Sequence, residues 1–204
     1  QTRVLPLVVD VRDRAAMQQA IDGLPDEFAR LRGLINNAGL ALGIAPAHEC
    51  SLDDWETMVD TNVKGLMYTT RMLLPRLIAH GAGASIVNIG SSAGNWPYPG
   101  ANVYGGTKAF VQQFSLNLRC DLVGTGVRVT NLEPGLCESE FTLVRFRGDQ
   151  ARYDATYAGA DPVQPTDIAE TCFWLLNQPP HININNLEIM PVSQTWNGFT
   201  IHRK

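Results

Sequence analysis

Strand-length apolar runs alternate with stretches of helical period along this whole chain, and no other feature constrains its fold as much. Residues 4–11 (VLPLVVDV) read as a buried strand ending at Asp10, and 14–28 carry Met17, Ala20, Ile21 and Leu24 at helical spacing. A short strand at 34–37 stops at Ala38-Gly39. Ser51 then caps a helix with Asp53 and Asp54 in its first turn, and the helical period runs on through Met58, Asn62, Leu66, Thr70 and Leu77 to Gly81. Strands at 85–89, 127–132 and 186–190 follow, separated by helices at 103–123 and from Pro165 to 176. The two prolines at 97 and 99 forbid regular helix between 96 and 100. Strands that alternate with helices form a parallel sheet covered on both faces. The expected architecture is therefore α/β, a doubly wound parallel sheet in one domain over 1–204. Residues 138–162 are polar, charged and weakly periodic, and read as a lid-like excursion over a site.

Composition narrows the function. With 45% hydrophobic and 18% charged residues the chain builds a packed core, and a net charge of -4 leaves no electrostatic footprint for nucleic acid. No stretch has the apolar length of a membrane span. Cys50, Cys120, Cys137 and Cys172 form no C-x-x-C pair, and His48, His80, His181 and His202 lack ligand spacing. Neither disulfides nor a metal are expected, and reduced thiols in the cytoplasm are.

Tyr104 and Lys108 stand four apart, on one face of a helix. A phenol is a poor acid or base near neutral pH, but a neighbouring ammonium favours its ionised form. Alone, the pair describes an ordinary helix face, Tyr packed and Lys solvated, better than it describes a catalytic site. Ser91 closes a buried strand, where a hydroxyl points into the ligand crevice of such a fold, although a turn serine looks the same. Asn62 falls inside a helix, where its amide either bonds backbone groups and bends the helix or holds a water. Asn36-Asn37-Ala38-Gly39 and Pro134-Gly135 each follow a strand, where small residues let backbone approach a ligand.

Together, Asp10-Val11, Asn36-Asn37-Ala38-Gly39, Asn62, Ser91, Tyr104-x-x-x-Lys108 and Pro134-Gly135 resemble, in order and spacing, the short-chain dehydrogenases/reductases of Rossmann-like fold. The segments NAGLALG from Asn37, DWETM from Asp54, YGGTKAFV from Tyr104 and NIN from Asn183 resemble more closely the NADP-dependent 3-hydroxy acid dehydrogenases. Those enzymes act on serine, allothreonine and related 3-hydroxy acids and reduce malonic semialdehyde. The resemblance implies Tyr104 as general acid/base, Ser91 orienting the substrate oxygen, Lys108 on the nicotinamide ribose, and Asn62 as fourth catalytic member through a water-mediated proton relay. It also implies cofactor contacts from Asp10, Val11, Asn37, Ala38, Gly39, Pro134, Gly135, Leu136 and Ser139. A homotetramer is implied as well. Arg145 and Arg147 in the lid, and Arg203 in the tail, are candidates for a substrate carboxylate, against a reading as solvated surface charge.

The chain departs from the family pattern in two places. The N-terminal βαβ unit with its Gly-rich phosphate turn does not occur in the sequence, on the order of forty residues by the size of such a unit. Its first strand is central, so a gap or altered strand order is expected, with weak cofactor binding and weak or no activity of the isolated chain. The residue that selects NADP over NAD belongs to the same unit, so NAD is not excluded. After Pro134-Gly135 the relatives carry a Gly-Gly-Thr stretch, where this chain is one residue shorter and offers Ser139. Two other functions compete. Gly90-Ser91-Ser92-Ala93-Gly94 matches the G-x-S-x-G elbow of hydrolases, though prolines follow where that motif needs a helix. A catalytically impaired relative acting as a subunit or binding module is the other.

Overall fold

The computed structural model describes residues 2–196 and 201. Four parallel strands form one sheet in chain order: β1 (Gly33–Asn36), β2 (Ser85–Ile89), β3 (Arg128–Pro134) and β4 (Asn186–Ile189). Helices α1 (Arg14–Asp22) and α2 (Asp26–Ala29) precede β1; the expected 14–28 helix is split where Pro25 starts a new one. Between β1 and β2 runs one long helical rod made of α3 (Leu52–Val59), a π-helical stretch at Asp60–Gly65, and α4 (Leu66–His80). Ser51 caps it, accepting from the Asp54 N–H, and Gly81 ends it at φ 75°. Helix α5 (Asn102–Asp121) joins β2 to β3. Short helices α6 (Glu140–Arg145) and α7 (Gln150–Tyr157), then α8 (Pro165–Leu176), join β3 to β4. The 138–162 excursion therefore carries helices, which lie beyond the carboxyl end of β3.

The two faces of the sheet are sorted by the period-two alternation of strand side chains. Leu34, Ile86 and Val129, aligned across β1, β2 and β3, pack with Leu77 of α4 and Leu118 of α5. Val87 and Leu132 turn the other way, onto Cys172 and Leu175 of α8. Each fully buried Leu or Ile contributes roughly 1.5–3 kcal/mol. On the α5 side, one register row is Asn36, Asn88, Asn131 and Asn186. Asn36 donates to Asn88 Oδ1 at 2.7 Å and to Thr70 at 2.9 Å, and Asn88 donates to Ser115 of α5 at 2.8 Å. A buried amide satisfied only in one alignment penalises a strand slip, so this row pins the register that brings the carboxyl ends of the strands together.

One expectation is corrected. Residues 4–11 join no ladder among the described residues, and the sheet begins at β1 with no internal gap. Val4 is 79% exposed, and Leu7 and Val8 are exposed as well. An apolar run becomes a strand only when a neighbour pairs its backbone groups, and none lies alongside this one. Among the described residues no helix is long and apolar enough to cross a membrane.

Candidate active site

The carboxyl ends of β1, β2 and β3 open into a cavity of about 1330 Å³, roofed by α6, α7 and part of α8. Open α/β sheets bind ligands outside the carboxyl ends of their strands. Ser91, Tyr104 and Lys108 all line it, as do Asn37, Gly39, Pro134, Gly135, Leu136, Ser139 and Arg145. Three residues expected at the cofactor are not brought to it. Asp10 is exposed and chelated by Arg12 through Nε and Nη2, which holds its carboxyl at about 2. Val11 packs beside Gly65, and Ala38 is exposed outside the lining. Arg147 is also elsewhere: its Nη2 reaches both carboxylate oxygens of Asp54 at 2.7 Å in an exposed ion pair. Arg203 lies outside the described residues.

Two consecutive helical turns of α5 place Tyr104 and Lys108 on one buried face, each only 7% exposed. Lys108 Nζ donates to the Ile89 carbonyl at 2.8 Å and lies 6.0 Å from the Tyr104 ring. Burial drops the Lys108 ammonium to about 8. Tyr104 moves the other way. Burial pushes the phenol up to about 12, opposed by the hydrogen bond with Ser91 and by the Arg145 charge. An ammonium neighbour such as Lys108 is expected to lower a phenol, but here desolvation outweighs the neighbouring groups. The phenol is thus fully protonated at neutral pH, which suits a proton donor.

Asn62 sits in the π-helical stretch, 2% exposed. Its Oδ1 accepts from the Leu40 N–H at 2.8 Å, and its Nδ2 donates to the Leu40 carbonyl at 2.8 Å and to Thr107 at 3.0 Å. The side chain is therefore spent on holding the loop after β1 against α5, beside Lys108. Gly39 occupies that junction; a Cβ there would stand 3.3 Å from Asn62 Oδ1 and 3.5 Å from Lys108 Nζ. The expected bend is realised as a widened turn, which lets one amide reach backbone on another element.

Arg145 enters from α6. Its guanidinium lies 5.5 Å from the Tyr104 ring and 5.6 Å from the Tyr98 ring, donating to the Tyr98 hydroxyl at 2.9 Å and to the Gly43 carbonyl at 3.1 Å. It makes no ion pair among the described residues. Tyr98 and Phe141, whose ring meets that of Tyr104 at 5.6 Å, complete this end of the cavity. Tyr98 was not singled out in the sequence, because it read as part of a proline loop. Gln194 was missed too: its Oε1 accepts from the Leu136 N–H at 2.7 Å and steadies the segment after β3. Ser92 is 2% exposed in a 3-10 turn, with the 96–100 loop rather than a helix behind it, so no hydrolase elbow forms.

The donor set fits one end of a dinucleotide. An ammonium held at the cavity floor, a hydroxyl pair at Ser91 and Tyr104, and glycine-bearing backbone at Gly39 and Gly135 face the same volume. A G-x-G-x-x-G turn does not occur in the sequence. The model of the short chain dehydrogenase family matches residues 1–149. The chain is 57% identical over 203 residues to sulfoacetaldehyde reductase 2 of Chromohalobacter salexigens, covering 100% of this chain and 81% of that one. It is 53% identical over 197 residues to the NADP-dependent 3-hydroxy acid dehydrogenase of Escherichia coli K12, covering 96% and 79%. The closed form of a serine dehydrogenase complexed with NADP+ superimposes with a TM-score of 0.90 at 52% identity, over 96% of this chain and 79% of that one.

Proposed function

Because the chain belongs to the short-chain dehydrogenase family, we propose that it moves a hydride between NADP(H) and the 3-hydroxyl or carbonyl carbon of a small 3-hydroxy acid, malonic semialdehyde being the aldehyde form. Serine, allothreonine and 3-hydroxypropionate are the matching alcohols. The observation that carries the substrate class is Arg145. A guanidinium over the ring of the proton donor, without an acidic partner among the described residues, is a seat for an anionic group one short carbon chain away from the reacting oxygen.

NADPH supplies the hydride when bound. Tyr104 gives its proton to the carbonyl oxygen as that oxygen becomes a hydroxyl, and takes it back in the reverse direction. Ser91 donates a second hydrogen bond to the same oxygen and orients it. Lys108 holds the nicotinamide ribose from the floor, and its positive charge favours a phenolate whenever Tyr104 has given up its proton. Asn62 keeps the loop after β1 against Lys108 and α5 and stands at the start of the proton path to Lys108. Gly39, Asn37, Ser139 and the 134–136 backbone make the remaining cofactor contacts, while α6 and α7 act as the lid that excludes water from the reacting atoms. A homotetramer packed through the long helices completes the reading, supported by the exposed Met67 and Ile78 on α4. A cytoplasmic location fits four free cysteines.

A second reading keeps the site and changes the anion. A sulfonate meets a guanidinium as well as a carboxylate does, and the 57% identical relative bears the name of a sulfoacetaldehyde reductase. One experiment decides both. NADPH oxidation is followed with malonic semialdehyde, sulfoacetaldehyde and uncharged propanal, and NADP+ reduction with L-serine, L-allothreonine and 3-hydroxypropionate. The R145A variant is expected to lose about 10–100-fold in kcat/KM toward the anionic aldehydes, the weight of a charge-assisted hydrogen bond of about 1.5–3 kcal/mol, and little toward propanal. An equal loss toward all three aldehydes would remove Arg145 from substrate recognition. Turnover of none of the acids or their aldehydes would remove the substrate class.

A further inference from the structure

Ser91 must present its hydroxyl to one point in the cavity, yet the turn that carries it lies just past the end of β2. Two features fix where that turn sits. On one side it is wedged on α5: a Cβ at Gly94 would stand 2.9 Å from the Lys108 carbonyl carbon. On the other, a Cβ at Gly90 would strike Asn131 Oδ1 and lie 3.2 Å from Glu133 Cγ. The backbone before Ser91 therefore rests directly on two side chains of β3.

Glu133 is 2% exposed, a carboxylate where burial without partners is costly. Its Oε2 accepts from Asn95 Nδ2 at 2.9 Å and its Oε1 from Asn131 Nδ2 at 2.7 Å. Asn95 closes the turn that Ser91 opens: the Asn95 N–H bonds the Ser92 carbonyl, and Ser91 Oγ accepts from the Ala93 N–H at 3.1 Å. The next residue is tied in the same way. Trp96 Nε1 donates to Glu188 at 2.9 Å, and Glu188 is the register neighbour of Glu133 across β3 and β4. Two adjacent carboxylates on adjacent strands hold two consecutive side chains at the far end of the serine turn. Like charges side by side are unfavourable, and neither carboxylate faces a cation in an ion pair among the described residues. An arrangement that costs stability and grips the turn carrying Ser91 is placed to serve the site.

We propose that Glu133 is a positioning residue for Ser91, acting through the Asn95 side chain to fix the Ser91 hydroxyl relative to Tyr104. The kinetic consequence rests on the dehydrogenase reading; the structural link does not.

The test uses Glu133→Gln, whose amide has one acceptor oxygen where the carboxylate has two, and Asn95→Ala, which cuts the same link from a half-buried position. In both variants the Ala93 amide is expected to exchange its hydrogen at least tenfold faster, while the Ile86 amide inside β2 keeps its rate. Turnover is expected to fall about tenfold with KM for NADPH within twofold of native. In a Ser91→Ala background, where the hydroxyl to be positioned is gone, adding Glu133→Gln is expected to lower kcat no further. Unchanged Ala93 exchange, or equal acceleration at Ala93 and Ile86, overturns the link. Multiplicative losses in the double variant overturn the positioning role even if the link stands. If the native chain turns over none of the proposed substrates, the substrate reading falls, and the ratio of Ala93 to Ile86 exchange decides the structural link by itself.

Discussion

Residues 4–11 and the segments at 85–91 and 128–135 all read as strands in the sequence, each carrying apolar residues with a polar or small one near its end. They end in opposite conditions. Ile86 and Leu132 are completely buried, their backbones are paired on both sides, and the residues just past them line the cavity. The 4–11 run has exposed side chains and no ladder partner among the described residues, and Asp10 at its end is chelated by Arg12 rather than turned to the cavity. The contrast divides the expected cofactor site. The proposed hydride-transfer end is assembled by buried, mutually bonded groups, while Asp10 and Val11 lie away from the cavity. A functional residue is only as well placed as the neighbours that hold its strand.

The sharpest way to break this contrast is at Tyr104. If the buried end is where protons move, Y104F lowers kcat on the order of 10³-fold, within the usual span for general acid catalysis, while NADPH binding, followed by cofactor fluorescence, stays near native. Retention of a tenth of native turnover would show that the proton comes from elsewhere. Next is stability. I86A removes a buried side chain from the paired region and should cost about 2–5 kcal/mol in urea unfolding, with an unchanged m-value. A cost below about 1 kcal/mol would mean that the sheet centre is not the tightly packed part.

A smaller effect comes from pH. Lys108 is charged below about 8 and neutral above it, because burial lowers its affinity for a proton. The kcat/KM for aldehyde reduction should therefore be level below that point and fall about tenfold per pH unit above it. A profile level to pH 10 would show that the ammonium is not required. The smallest change is expected at the other region: V8S, at an exposed position, should shift unfolding by less than about 0.5 kcal/mol. A loss comparable to that of I86A would mean that residues 4–11 are packed after all.

Much of this was legible before any coordinates. Ser51, Gly81 and Pro165 mark helix ends by local chemistry, and local chemistry is what a sequence displays. That Ser91, Tyr104 and Lys108 would line one cavity was legible from the family resemblance, which implies a fold that brings strand end and helix face together. What stayed hidden depends on partners distant in the chain. The 4–11 run could not announce that none of the described residues pairs with it. Arg145 and Arg147 stand two apart in the same short stretch, yet one turns into the cavity and the other to Asp54, a choice made by α6 ending between them and by the positive φ of Arg147. Glu133 looked like any strand residue until β2 was laid over it.

The widened turn at Asp60–Gly65 has a consequence for insertions and deletions. A π-helical turn is how a helix accommodates one surplus residue without breaking its rod. Removing one residue from that stretch, Val63 for instance, would let the rod heal into a continuous α-helix. The side chains of α4 beyond the cut would keep their directions, because the surplus residue is absorbed within the widened turn. A deletion within α4 itself would instead swing those beyond it by about 100° around the axis, the angle between successive residues of an α-helix. Asn62 and Leu77 are now both buried, one bonded to Leu40 and the other packed beneath the sheet. Healing the turn would leave Leu77 beneath the sheet and take from Asn62 the widened geometry through which its amide reaches Leu40, so the loss of Val63 would strike the site and spare the packing.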